Sequence, residues 1–377
     1  MDGQKKRKAV CAGHICLDIT PAFSLEKNYD RIGDLLVPGQ LVPVGEPDIH
    51  LGGSVANTGL AMKFLGADVE LMGKVGDNDF GRLVLSMLKE KGADSGMKEV
   101  SGEETSYSVV VSVPGIDRVI LHDAGANNTF GPEDVDYTLV GNASLFHFGY
   151  PTAMRRMQEE NGGNLVEMFR RVKELGVATS LDTSSLEADS EEGRVDWEEI
   201  LRGVMPYVDF FVPSVEELAF MIDRPRYEQW RARSNGGDIT EQLSVEEDIC
   251  PLAEKLLSWG AKIVLIKCGA PGMYLKTASR ERLAKIGGGL ADSLKDWAEQ
   301  EHFERSYRPE RVLSGTGAGD TSIGAFLCAA LEGCSWQESL HLAAATGASC
   351  VAAYDALSGL KTFEELKKKI AAGWEKA

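Results

Sequence analysis

Four stretches of this chain are apolar on nearly every residue instead of on alternate ones: "ASLFHFGY" (143–150), "VATSLDT" (177–183), "VDFFVPS" (208–214) and "KIVLIKCG" (262–269). A strand with one wet face alternates, so near-continuous apolar runs belong to strands covered on both faces. Between them lie segments such as "LVEMFRRVKELG" and "EEDICPLAEKLLSWG", with apolar residues at helical spacing. Strands buried on both sides and separated by amphipathic helices specify an α/β fold, a three-layer α/β/α domain with a mostly parallel central sheet. A chain of 377 residues has room for one large domain of this kind plus an accessory piece.

The accessory piece is legible where that rhythm breaks. Residues 22–51 turn rich in Pro, Gly and Val, and "PGQLVPVGEPDIHLGG" reads as edge strands. "SYSVVVSVPGIDRVILHD" holds two β-branched runs joined by "PGIDR", a hairpin signal. The two segments are expected to pair as a small discontinuous β-sheet lid, 22–51 with 105–125, over an α/β body of 1–21, 52–104 and 126–377. The body begins with one strand, "KAVCAGHICLDI", and the polar, Arg-rich stretch 223–246 reads as a surface insertion.

A formal net charge of −18 disfavours adhesion to nucleic acid or to anionic membranes. No run approaches the ~20 apolar residues of a membrane span, and the basic start "MDGQKKRKAV" lacks the apolar core of a secretion signal. The expectation is a soluble cytoplasmic protein. Seven cysteines without a CxxC pair, several in apolar runs, read as buried small hydrophobes in a reducing compartment. Cys11, His14 and Cys16 are close in sequence, but on a strand, where sides alternate, Cys11 faces away from the other two, which argues against a metal site.

The chemistry-bearing stretch is "LSGTGAGDTSIGAF" (313–326), a glycine turn opening a helix with an acid in its first turn. First-turn amides lack intrahelical partners and carry the positive end of the dipole, and glycines let that backbone approach a phosphate. An anion nest of Gly317, Ala318, Gly319 and Asp320 explains the glycines but not the carboxylate, which would repel a phosphate. The acid makes sense if it takes a proton from a hydroxyl attacking phosphorus. An Asp capping a helix after a glycine turn is the other reading, and residues alone leave both open. A dinucleotide turn fits poorly so late in the chain, and no GxxxxGK[ST] loop is present.

"SGTGAGDTSIGAF" resembles the C-terminal signature of the ribokinase-like (PfkB) carbohydrate kinases, and "GGSVANTGLAMKFLG" resembles their N-terminal Gly-Gly turn with its downstream Asn. "GHICLDI" is similar to their first strand, and the order of motifs matches over nearly the whole chain. The resemblance implies an ATP- and Mg2+-dependent kinase that phosphorylates a hydroxyl of a small sugar. It makes Asp320 the base and the amides of Gly317, Ala318, Gly319 and Asp320 the anion hole. It places Asp18, Gly52, Gly53 and Asn57 on the sugar, and Thr316, Lys267, Gly269 and Gly272 along the nucleotide. Glu217 of "PSVEEL" would organise Mg2+ through water, although as a lone acid it reads as a solvated helix start. His122, on the lid, either reaches the sugar or is an ordinary strand histidine.

The departures matter too. Ser214 replaces the usual Asn, and Ser314 stands where the family carries Asp, so activation by a monovalent cation is not implied. "SLDTSS" lacks the Asn and Arg that often follow its acid, Asp182, and Gly149 and Tyr150 stand where ribose-type members carry a Glu. Arg155 and Arg156 would suit an acidic or phosphorylated sugar, or are exposed helix residues. A nucleoside kinase of the same fold would need an aromatic wall, which the lid segments lack; a sensor without catalysis is the reading from another class. Family members often dimerise through the lid, and its Val-rich runs fit a homodimer.

Overall fold

Neighbouring residues on each central strand feed two different cores. The computed structural model describes residues 7–23, 29, 31–113 and 118–377. Its strands are β1 (Lys8–Gly13), β2 (Cys16–Thr20), β3 (Asp48–Gly52), β4 (Asp68–Gly76), β5 (Gly96–Val100), β6 (Tyr107–Val111) and β7 (Val119–Asp123). They continue as β8 (Leu145–Gly149), β9 (Ala178–Asp182), β10 (Phe210–Phe211), β11 (Ile263–Lys267), β12 (Gly272–Thr277) and β13 (Glu301–Arg305). Nine of these form one sheet in the order β13-β12-β11-β10-β9-β8-β1-β4-β5. From β5 to β11 every pairing is parallel; β11–β12 and β12–β13 are antiparallel.

On one face Cys11, Leu145, Phe210 and Leu265 pack under helices Gly53–Phe64, Ala318–Glu332 and Trp336–Cys350. On the other, Val10, Phe146, Phe148, Phe211 and Ile266 pack under Arg155–Glu174, Trp197–Val204 and Cys250–Trp259. This is the three-layer α/β/α arrangement that the apolar runs predict. A fully buried Phe or Leu contributes about 1.5–3 kcal/mol. The two cores therefore carry the stability, and the sheet's edge can hold polar and strained groups. Cys11, Cys16, Cys268, Cys328 and Cys350 are buried, as their apolar contexts imply.

The first strand differs from its expectation. "KAVCAGHICLDI" is two strands in two sheets: β1 pairs with β4 and β8, while β2 pairs with β3 and β6. Gly13 makes the turn with φ +127, where a Cβ would overlap the Gly149 carbonyl oxygen. The small sheet runs β3-β2-β6-β7. β6 and β7 are the hairpin read from the β-branched runs. Residues 114–117 of "PGIDR" lie outside the described residues, as do residues 1–6 of the basic start.

Of the edge strands expected in 38–53, only β3 forms; Pro38, Pro43 and Pro47 remove ladder donors from the stretch before it. The stretch 223–246 is not featureless. It holds helix Arg224–Ser234, anchored by buried Trp230, whose indole N–H donates to Asp248 at 3.0 Å.

Candidate active site

Helix Ala318–Glu332 starts abruptly because Gly317 adopts φ +73, and a Cβ there would overlap Ala356. Only glycine suits both demands. The helix mouth opens on a cavity of about 580 Å³ at the C-terminal edge of the large sheet. Ala318, Gly319 and Asp320 line it, and Gly319 and Asp320 stand in the first turn, where amides have no intrahelical acceptor. The Ala318 N–H differs from the nest read from the sequence: it turns back to the Gly315 carbonyl at 3.3 Å.

Asp320 is buried and richly bonded. Asn57 Nδ2 donates to its Oδ2 at 2.9 Å, and the Tyr150 hydroxyl donates to Oδ1 and Oδ2 at 2.7 and 2.8 Å. Burial pushes the carboxyl pKa up, and the Lys267 ammonium with the Tyr150 and Asn57 hydrogen bonds pulls against it. Tyr150 holds a left-handed backbone, φ 67 and ψ 44, immediately before Pro151.

Lys267, at the end of β11, runs its stem beneath Gly319 and donates Nζ to Asp182 Oδ1 at 2.8 Å. Burial alone would lower the lysine pKa, but Asp182 and Glu217 outweigh it and the net shift is upward. Asp182 ends β9; burial raises its pKa against the opposing pull of Lys267, and its Oδ2 has no partner. Glu217 lines the cavity and accepts from Thr183 Oγ1 at 3.0 Å and from the Ser214 N–H at 3.2 Å. Ser214 thus starts helix Val215–Ile222 by a backbone bond to that acid, which is one function of Glu217. Gly269 and Gly272 also line the cavity, both with positive φ. Thr240, from the 223–246 stretch, packs beside Gly269.

The cavity brings together Glu217, Lys267, Gly269, Gly272, Gly317, Ala318, Gly319 and Asp320, as the motifs imply. It does not include Thr316, which closes the turn instead: its N–H meets Ser314 Oγ at 3.1 Å and its carbonyl receives the Cys350 thiol.

Asp18, Gly52, Gly53, Asn57 and His122 form a second group joined to the first through Asp320. Asp18 packs against Gly52, and Gly53 (φ +81) packs against His14. His14 Nε2 lies 3.1 Å from His122 Nε2, and His122 Nδ1 lies 3.1 Å from Ser108 Oγ. Burial, and then each other's proximity, hold His14 neutral to a pKa of about 3. The His14 ring stands 6.1 Å from that of Tyr150.

Arg155 and Arg156 line no part of the cavity and pair with Glu159 and Glu133. The Tyr150–Asp320 and Lys267–Asp182 contacts, His14 and Thr240 escaped the sequence reading, which placed Lys267 along the nucleotide and noted Tyr150 only as standing where ribose-type members carry a Glu. The non-glycine residue after Gly149 and before Pro151 carries no local sign of its contact with Asp320.

A model of the pfkB family carbohydrate kinases matches residues 7–362. A 2-dehydro-3-deoxygluconokinase of Thermoproteus tenax is 26% identical over 348 residues, 89% of this chain and 90% of that protein. A 5-dehydro-2-deoxygluconokinase of Clostridium perfringens is 23% identical over 381 residues, 98% and 94% of the two chains. The structure of Arabidopsis thaliana ribokinase complexed with ribose and ATP aligns with a TM-score of 0.68 at 22% identity, over 96% of this chain and 98% of that one. With a glycine turn, a buried acid at a helix mouth and this match along almost its entire length, the chain belongs to the pfkB family of carbohydrate kinases and is a phosphotransferase with an alcohol group as acceptor.

Proposed function

We propose that the protein transfers the γ-phosphoryl group of ATP to a hydroxyl of a small sugar, with Asp320 as the base. One observation carries the reading: a buried carboxylate stands at a helix mouth, in one cavity with Lys267, Gly317 and Gly319. Asp320 accepts the proton of the attacking hydroxyl while Asn57 holds its Oδ2. The amides of Gly317, Gly319 and Asp320 face the charge that gathers on the migrating phosphoryl group, with Ala318 contributing from its weak turn bond. Lys267, fixed by Asp182, adds a positive charge beneath the same turn. Gly269, Gly272 and Thr240 shape the wall for the nucleotide, and Thr316 supports the turn from behind.

Mg2+ suits the oxygens at hand. Glu217 faces the cavity and the buried Asp182 Oδ2 has no partner, while no described cluster of three or more such side chains would hold a metal unaided. That matches an ion held by one or two carboxylates plus phosphates and water. When bound, it supplies neutralisation of the phosphate charge.

The sugar sits between Asp320 and the small sheet, within reach of Asp18, Gly52, Gly53, Asn57 and His122. The small sheet acts as a lid, with β2 as part of it, and excludes water on closure. The exposed faces of Ile49, Ile120 and Leu121 support a homodimer through that sheet. Five buried free cysteines support a cytoplasmic enzyme; among the described residues no helix is long and apolar enough to cross a membrane.

The relatives' names include deoxygluconokinases, and one structural neighbour holds ribose, so acidic and neutral sugars are both candidates. Screening neutral, acidic and phosphorylated sugars for ADP release tests the proposal. One sugar class should stimulate release well above the sugar-free rate; binding without release for every class points to a sensor instead.

A further inference from the structure

The Tyr150 hydroxyl donates to both oxygens of Asp320 at 2.7 and 2.8 Å, the distance at which an alcohol hydrogen-bonds a carboxylate. The residue reaches that position through a left-handed backbone that a bulky side chain seldom adopts, φ 67 and ψ 44. Its neighbours fix it there: its N–H donates to the Asp182 carbonyl at 3.2 Å, its carbonyl receives the Ala153 N–H at 3.0 Å, and Pro151 follows. The phenol lines the cavity, and its ring faces His14, which is itself coupled to His122 on the lid.

We propose that Tyr150 is a placeholder for the acceptor: its phenol occupies the alcohol seat on Asp320 until a sugar hydroxyl displaces it, and so keeps the base from activating water. This rests on Asp320 being the base. The phenol is suited to hold the seat without reacting. Burial first, and the negative Asp320 and Asp182 next, push its pKa well above the usual value, so it stays a protonated donor. A water molecule entering without sugar makes too few contacts to displace a hydroxyl anchored to a rigid ring. A sugar that also binds the lid-side group of Asp18, Asn57 and His122 brings enough contacts to do so. The acceptor is thus selected by whether its remaining contacts outweigh the phenol–carboxylate bond. Besides the Tyr150 hydroxyl, the groups bearing on Asp320 are the Lys267 and Asp182 charges and the Asn57 and Thr58 side chains.

Tyr150→Phe removes only the hydroxyl. Without sugar, the variant should release ADP about tenfold faster than the wild type, the effect of losing one hydrogen bond to a charged group; the best sugar from the panel then serves as the acceptor for the kinetic constants. The acceptor KM should fall, because nothing need be displaced. The acid limb of kcat/KM should move upward by about one pH unit, because the carboxylate loses a donor that favours its ionised form. An unchanged melting temperature and an unchanged ATP-induced melting shift exclude a folding effect. Acceptor-free hydrolysis at the wild-type level, together with an unmoved acid limb, overturns the placeholder. Asp320→Asn assayed beside it keeps the two ideas separate: sugar phosphorylation surviving in Asp320→Asn removes the base assignment, whatever Tyr150→Phe does.

Discussion

Asn57 and Asp320 stand 263 residues apart in the chain and 2.9 Å apart in the fold, the amide Nδ2 of one on the carboxylate Oδ2 of the other. The bond joins the start of helix Gly53–Phe64 to the start of helix Ala318–Glu332, so both glycine turns converge on one carboxylate. Asn57→Ala should lower kcat/KM by about tenfold to a hundredfold, the range for a hydrogen bond to a charged group. Its acid limb should rise, since burial then acts on Asp320 with one donor fewer. A pH–rate profile checks both; an unmoved limb with intact folding would show that Asn57 does not tune the carboxylate.

Lys267 and Asp182 form a buried pair with one carboxylate oxygen left over. Lys267→Met leaves that acid without its charge partner, and urea unfolding should show a loss of about 3–5 kcal/mol. Adding Asp182→Asn should recover at least half of the loss, because the stranded charge is gone. ATP affinity should stay low in the double variant if Lys267 serves the nucleotide as well as the fold. Recovery of affinity along with stability would confine the lysine to a structural part.

Gly317→Ala meets two obstacles at once, a φ of +73 and the Ala356 side chain. Thermal unfolding should show destabilisation of at least about 1–3 kcal/mol, the strain range for a non-glycine residue in that region. Gly39 serves as the contrast: its φ is +80 but nothing lies within 4 Å of an added Cβ. Gly39→Ala should therefore be milder than Gly317→Ala. Equal losses would mean that backbone strain alone, without the Ala356 contact, sets the effect.

Much of this architecture was legible because its signals are local. Near-continuous apolar runs mark strands buried on both faces, and β8, β9 and β11 fall where "SLFHF", "VATSLD" and "KIVLIK" predict them. The helix at Gly317–Asp320 was legible because a glycine turn before small apolar residues has few other uses. What escaped depends on tertiary contact. Gly13 inside an apolar run was the sole hint that β1 and β2 part company, and a lone glycine in a strand has several explanations. Tyr150 reaches Asp320 across 170 residues, and Lys267 reaches Asp182 across 85, separations at which no spacing rule applies. Thr240 was hidden for another reason: its polar, Arg-rich surroundings describe a solvated surface, yet one residue of that stretch turns inward beside Gly269.

His147 sits beneath the site on β8, its Nδ1 2.9 Å from Ser180 Oγ and its Nε2 without a partner. Burial, and then the Lys267 charge, hold it neutral to a pKa of about 3. The unfolded chain takes up this proton near the ordinary histidine value of about 6.5, so it binds more protons than the native state between the two. The contribution is therefore complete above pH 6.5 and is lost as pH falls toward 3, by about 1.4 kcal/mol per pH unit. The raised carboxyls of Asp182 and Asp320 act in the opposite direction, so the comparison is between variants. Urea midpoints of His147→Gln at pH 7.5, 6 and 5 should fall less steeply than those of the wild type. Parallel slopes would mean that His147 gains its proton without unfolding.

The base assignment is tested most directly by Asp320→Asn, with nucleotide binding and sugar-dependent ADP release measured on the same preparation. Asn keeps the size of the side chain and cannot accept a proton at working pH. The expected result is an ATP-induced melting shift close to that of the wild type and a turnover lower by roughly two to four decades, the range for losing a general base. Turnover at the wild-type rate would contradict the account, because the reaction would then be proceeding without the one carboxylate that the helix mouth, Asn57 and Tyr150 all converge on.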